Sequence, residues 1–206
     1  MDHRTRSQRV PLAMPEPEPG HTSARSADQI EADADALDPV LGHWPPQIAD
    51  EAERSQVYAR WRSLVLDARA LKPEAVTEQR RLEILGEVYR QGHNLDVDDA
   101  AELADRTLQE CLGLYPHSAR CNWSLVYFDL SVAPASDRLD EIESSLRTLR
   151  TDRSRAERAV EAETVLLRLF QGDRKGAVAQ IDNYLTEFPD GQNAETFRDV
   201  RRKLSR

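Results

Sequence analysis

One spacing of small and apolar residues recurs along the chain and sets most of what it can fold into. Leu82, Leu85, Gly86 and Tyr89 are followed by Ala104, Leu108, Cys111 and Pro116, and the second half of that pattern returns, after Gly172, as Ala177, Ile181, Tyr184 and Pro189. Small residues let helices approach closely, large apolar ones fill the space between them, and proline cannot continue a helix. Such a recurrence predicts stacked antiparallel helix pairs, each too thin to bury its own apolar face.

The rest of the chain from Asp50 onward follows the same helical period. Val57, Trp61, Leu64, Val65, Ala68 and Leu71 predict a first helix stopped by Pro73. A second runs from about Glu74 to Gln91, and a third starts near Val97 with Asp96 as its N-cap and ends before Pro116. Ser118 caps a fourth, the most hydrophobic, which stops near Pro134. Ser136 or Asp137 opens a fifth with Leu139, Ile142, Leu146 and Leu149, and a sixth spans about Ser154 to Gln171. A Gly172-Asp173 turn leads to a seventh ending at Pro189, and an eighth carries Ala194, Phe197, Val200 and Leu204 on one stripe with charged outer faces. A polar-backed last helix suits a stack that must be capped. No segment reads as a strand.

These positions resemble the tetratricopeptide repeat (TPR) family, whose first helix carries W-x2-L-G-x2-Y and whose second carries A-x3-F with a terminal proline. The first unit has Leu82-x2-Leu85-Gly86-x2-Tyr89, then Ala104-x3-Leu108-x2-Cys111-x4-Pro116; the last has Ala177-x3-Ile181-x2-Tyr184-x4-Pro189. A degenerate middle unit uses Trp123, Tyr127, Ile142, Leu146 and Leu149. Ala104, Ile142 and Ala177 stand 38 and 35 residues apart, close to the family period of about 34. The resemblance covers roughly residues 75 to 205 and implies an all-α, right-handed α-solenoid of about three TPR-like helix pairs, with an extra N-terminal helix and a C-terminal capping helix.

The resemblance also implies a concave, partner-binding groove lined by the first helix of each pair. Its candidates here are Arg80, Glu83, Glu87 and Arg90, then Trp123 and Tyr127, then Glu163 and Leu166. Family members that clamp a terminal carboxylate place Lys and Asn on this surface, where this chain has Glu83 and Glu87. The expected partner is therefore a protein or peptide of basic or mixed charge. The expected function is that of a non-enzymatic scaffold or adaptor. The alternative is an envelope or secretion-system accessory protein built on the same array, and the free ends of the array leave room for self-association.

Composition limits the other classes. A net charge of −9 opposes nucleic-acid binding, which needs clustered Lys and Arg to displace counterions. No phosphate loop, nucleophile elbow, HExxH or paired-Cys motif occurs, so no catalytic residues, cofactor or metal are assigned. His93, Asn94, Asp96 and Asp98 are explained as a rigid loop with capping aspartates rather than as metal ligands. Cys111 and Cys121 flank the turn at Pro116 and either pair or simply pack. No export signal or membrane span is legible, so a cytoplasmic location is expected, or a periplasmic one if the true start is processed or misassigned.

Residues 1–47 carry seven of the 11 prolines and few large apolar residues, which predicts a disordered Pro-rich arm ahead of a helical repeat domain over 48–206. Within that arm Ile30, Ala34 and Leu37 allow a weak helical turn, and Trp44 is expected to fold back as a lid on the first helix.

Overall fold

A computed structural model of the chain describes residues 11–131, 136–151, 157–191 and 193–205. Among these the structure is all-helical, with ten helices and one isolated parallel bridge between Leu12 and Val97. No described helix is long and apolar enough to cross a membrane. The chain divides into two compact units on either side of the 131/132 peptide.

The first unit holds α1 (Ala27–Asp35), α2 (Asp38–Leu41), α3 (Glu51–Arg69), α4 (Glu78–Asn94), α5 (Ala100–Leu114) and α6 (Ala119–Ser131). The local signals that start these helices are side-chain caps. Asp50 accepts from the Glu53 amide, Thr77 from the Arg80 amide and Ser118 from the Cys121 amide, each relieving a donor with no partner inside its helix. The start expected at Asp96 differs. Helix α4 continues through Asn94, Asp96 and Asp99 both adopt left-handed backbone at φ 60°, and α5 begins after Asp99. Aspartate is one of the few residue types that tolerates that conformation. Leu95 is fully buried beneath this turn, and Arg54 of α3 donates to its carbonyl at 2.9 Å.

Helix α4 is the centre of the unit, packed against α1, α2, α3, α5 and α6. Two glycines allow the closest approaches. A methyl group on Gly86 would lie 2.6 Å from Leu108 Cδ2 of α5, and one on Gly92 would run into the ring of Trp61 of α3. Trp61 is fully buried and its indole donates to the Val88 carbonyl at 2.7 Å. Cys111 and Cys121 form a disulfide that ties the end of α5 to the start of α6.

The expected disordered arm is corrected for residues 11–47; residues 1–10 lie outside the described residues. Leu12 exchanges backbone hydrogen bonds with Asp96 and Asp98, and Tyr58 and Arg69 of α3 donate to the carbonyls of Ala13 and Pro15. Helix α1 then forms behind a capping box of Ser26 and Gln29, and Ile30, Ala34, Leu37 and Leu41 are buried in the core of the unit. Trp44, the expected lid, is only half-buried. The arm is ordered because its sparse apolar residues fall at intervals of four, three and four, on one face of a helical path, where a few side chains suffice.

The second unit contains α7 (Ser136–Thr151), α8 (Glu157–Phe170), α9 (Arg174–Glu187) and α10 (Ala194–Leu204), each packed on its neighbour in the chain. Helix α7 begins at Ser136, one of the two openings expected for it, while the stop expected near Pro134 and the start expected near Ser154 fall outside the described residues. Tyr184 sits at the centre of the α8–α10 core, with its ring against Phe188 at 5.4 Å and Phe197 at 4.9 Å.

The glycine contacts generate a comparison of variants. Gly92→Ala should destabilise the protein by about 1–3 kcal/mol, because Trp61 is held by its own hydrogen bond and cannot give way. Gly113→Ala on α5, where a methyl group would meet nothing within 4 Å, should instead stabilise it by about 0.5–1 kcal/mol. Urea denaturation of both variants measures the difference, and equal midpoints would count against the packing described.

Candidate functional site

The groove residues expected from the sequence fall into two sets. Arg80, Glu83, Glu87 and Arg90 lie along α4, with Trp123 and Tyr127 beside them on α6, all in the first unit. Glu163 and Leu166 lie on α8 in the second.

In the first unit the expected open groove is covered. Helix α1 runs alongside α4 in the same direction, with Asp28 and Glu31 paired to Arg80 near its start and Ala34 at Gln91 further along. Arg120 of α6 pairs with Asp35 at 2.5 Å and lies 3.8 Å from Glu31. Three side chains of α4 take backbone carbonyls of the covering segment. Gln91 Nε2 donates to Ala34 at 2.9 Å, Asn94 Nδ2 to Leu41 at 2.7 Å and Arg90 Nη1 to Gly42 at 2.5 Å.

Arg90 is 1% exposed and is the hub of this arrangement. It also donates to Glu87 and to Asp38 at 2.9 Å, and its guanidinium carbon stands 5.5 Å from the centre of the Tyr127 ring, within cation–π range. Tyr127 stacks on Trp123 at 5.3 Å and takes the edge of His43 at 4.8 Å. Glu87 accepts in addition from Gln91 and from Ser124 of α6 at 2.7 Å. Burial alone would raise the Glu87 carboxyl, but Arg90 and Ser124 outweigh it and bring it down to about 2. Asp38, sharing the same arginine, is pushed up, first by burial and then by Glu87. The His43 imidazole is held below its ordinary range by burial and by Arg90.

No family model, curated protein or solved structure matches this chain.

The acidic groove inferred from Glu83 and Glu87 is therefore corrected. Glu87 is buried and internally compensated, and Glu83 is half-buried, accepting from Gln79 Nε2 and Ser118 Oγ. The charges of α4 and α6 that pair with the covering segment are cationic, Arg80, Arg90 and Arg120, whereas α3 meets Arg25 just ahead of it with the Asp67 carboxylate. Of the residues expected in a rigid loop, His93 and Asn94 instead end α4, and the buried His93 ring makes a T-shaped contact with Phe128 at 5.1 Å. Sequence reading missed Gln91, Asn94, Arg120 and Ser124. The signal that points to them is the Ser26-x-x-Gln29 capping box followed by Ile30, Ala34, Leu37 and Leu41, which marks a helix in need of a partner face.

In the second unit Leu166 remains 38% exposed and Phe170, one turn on, 44%. Glu163 is buried at 8% exposure, and desolvation pushes its carboxyl up to about 7. Its ordinary value is 4.5, so the folded state holds a proton that the unfolded chain releases between pH 4.5 and 7. Stability should thus fall as pH rises through that window. Glu163→Gln should raise the melting temperature at pH 8 and leave it nearly unchanged at pH 4.5; an equal shift at both would dissociate the effect from this carboxyl.

Proposed function

We propose that this chain is a non-enzymatic protein-interaction scaffold, built from TPR-like helix pairs in a short right-handed array, that holds a partner segment in its groove. The observation that carries the reading is the helical segment 27–41 lying along α4, held through backbone carbonyls by Gln91, Asn94 and Arg90. A face that takes a helix by its main chain is suited to taking helices of more than one sequence. Supporting the repeat assignment, Gly86 abuts Leu108, Ala104 and Ala177 are fully buried, and Pro116 and Pro189 stand just beyond the ends of α5 and α9. The expectation of a basic partner lapses with the correction at Glu87.

A photo-crosslinking residue placed at His43, on the rim of the first unit, and at Leu166, on the second, tests the reading in lysate of the source cells. Discrete adducts absent from a control at the exposed Glu51 of α3 are expected. Identical adducts at all three positions, or none, would remove the scaffold reading.

The Cys111–Cys121 disulfide favours the second reading, an envelope or secretion accessory protein, over a cytoplasmic one, because disulfides persist mainly in oxidising compartments. Protein isolated from its own cells and denatured should take up two alkyl groups only after reduction. Reduction of this short loop should also cost about 2–4 kcal/mol of stability, seen as a lower denaturation midpoint. Free alkylation of both thiols without reductant would exclude the second reading.

A further inference from the structure

We infer that the face of α3 and α4 beneath α1, edged by Arg120 of α6, is a recognition surface for acidic amphipathic helices, and that residues 26–44 of this chain are its resident ligand, displaced when a partner of that chemistry binds. The inference rests on the scaffold reading and adds to it the partner's chemistry and a competition for the site.

The recognition divides into three kinds of contact. Arg80 and Arg120 read carboxylates on the outward edge of the helix, at Asp28, Glu31 and Asp35, and Arg90 reads Asp38 beyond it. Gln91, Asn94 and Arg90 read main-chain carbonyls, which carry no sequence information, at the ends of α1 and α2. The Leu41 and Gly42 carbonyls stand at a helix end, where such groups carry partial negative charge towards a donor, and the Ala34 carbonyl accepts from the Leu37 amide as well as from Gln91. Between these polar contacts Ile30, Ala34, Leu37 and Leu41 fill the face at helical spacing. Only the carboxylates and the apolar spacing discriminate, so a foreign helix with acids flanking such a stripe meets every requirement of the site.

The cover is also separable from what it covers. A nine-residue helix and a four-residue one cannot hold their own conformation in water; residues 42–50, which include Pro45 and Pro46, join them to α3 on one side, and on the other Ala24 and Arg25 tether the chain to Asp67 of α3, so the cover opens between two fixed points. Helices α3 to α6 are bound to one another without them. The Trp61 indole bonds α3 to α4, Gly86 seats Leu108 of α5 against α4, and the disulfide joins α5 to α6. The carboxylates of Asp28 and Asp35 are largely exposed, 82% and 61%, so their pairs with arginine exchange readily with solvent or a competitor.

Two measurements on the full-length chain test the inference. Native-state hydrogen exchange of the unmodified protein should show amides 30–36 exchanging at least about tenfold faster than amides 85–91 through an opening smaller than global unfolding. Exchange of both segments in one event makes α1 part of the inseparable core and overturns displacement. The second measurement uses a fluorescent synthetic peptide of residues 26–44, titrated onto the wild-type chain and onto an Asp28→Lys/Glu31→Lys variant whose cover is loosened. The variant should bind the peptide about tenfold more tightly than wild type, because more of it is in the open state. A peptide carrying Asp28→Lys, Glu31→Lys and Asp35→Lys should bind it at least about tenfold more weakly than the unmodified peptide. Equal binding of the two peptides leaves a helix-binding face but overturns acidic selection. No binding of either by a variant of unchanged helicity removes the scaffold reading at this face as well. A variant that becomes dimeric at the titration concentrations assigns the face to a second copy of the chain and overturns a separate partner. Should the variant fail to fold, the exchange measurement still decides whether the cover opens.

Discussion

A single buried guanidinium orders the first unit. Arg90 is 1% exposed, and its donors are taken by Glu87 on its own helix and by Asp38 and the Gly42 carbonyl of the N-terminal segment, while Tyr127 of α6 presents its ring. A cation that deep is tolerated only when its donors are met, since the desolvation penalty otherwise amounts to several kcal/mol. Glu87 is fixed in turn by Ser124 of α6 and Gln91 of α4. The net stabilisation from such a network is small, but any shift in the seating of α2 or α6 would leave a charge or carbonyl unmet, so the network specifies one arrangement.

The same helix explains why the N-terminal segment is ordered. From Ile84 to Asn94 every residue of α4 is buried, apolar and polar alike. Trp61 and Leu108 close two of its sides at the two glycines. The remaining side is polar, and it is met by a segment that brings carboxylates and helix-end carbonyls as well as four apolar side chains. Helix α1 is short and poorly hydrophobic by composition, and these contacts are what order it.

The helical path from Asp50 to Leu204 was legible because its information is local. Period, Ser118 as a cap, the Gly172-Asp173 turn, and Pro73, Pro116 and Pro189 as stops act within a few residues of the structure they determine. The small residues Gly86 and Ala104 likewise mark close packing from their type and spacing alone. The site was legible only as a set of positions. On an isolated amphipathic helix, Glu87 and Arg90 read as outward or ligand-facing, because charge normally marks the solvated side. What buries them is a segment some fifty residues earlier, whose affinity for α4 depends on carbonyls that every residue has. Asp96 failed as a cap for a related reason: two left-handed aspartates extend the turn, and backbone sign is not written in residue type.

The two units place a carboxylate at a comparable, buried position and treat it in opposite ways. Glu87 has Arg90 three residues later, one turn along the same face, whereas Glu163 has Leu166 at that spacing. Both are 8% exposed, so desolvation pushes both upward. With the arginine present, the carboxyl goes down to about 2; without one, it rises to about 7. The signs of linkage follow. Glu87 supports the fold above its ordinary 4.5 and withdraws that support as pH falls towards 2, while Glu163 weighs against the fold increasingly as pH rises from 4.5 to 7. The arginine at the i+3 position, joined by Ser124 and Arg120 of α6, therefore separates a carboxylate that stays charged at every physiological pH from one whose charge changes near neutrality, beside the exposed apolar pair Leu166 and Phe170.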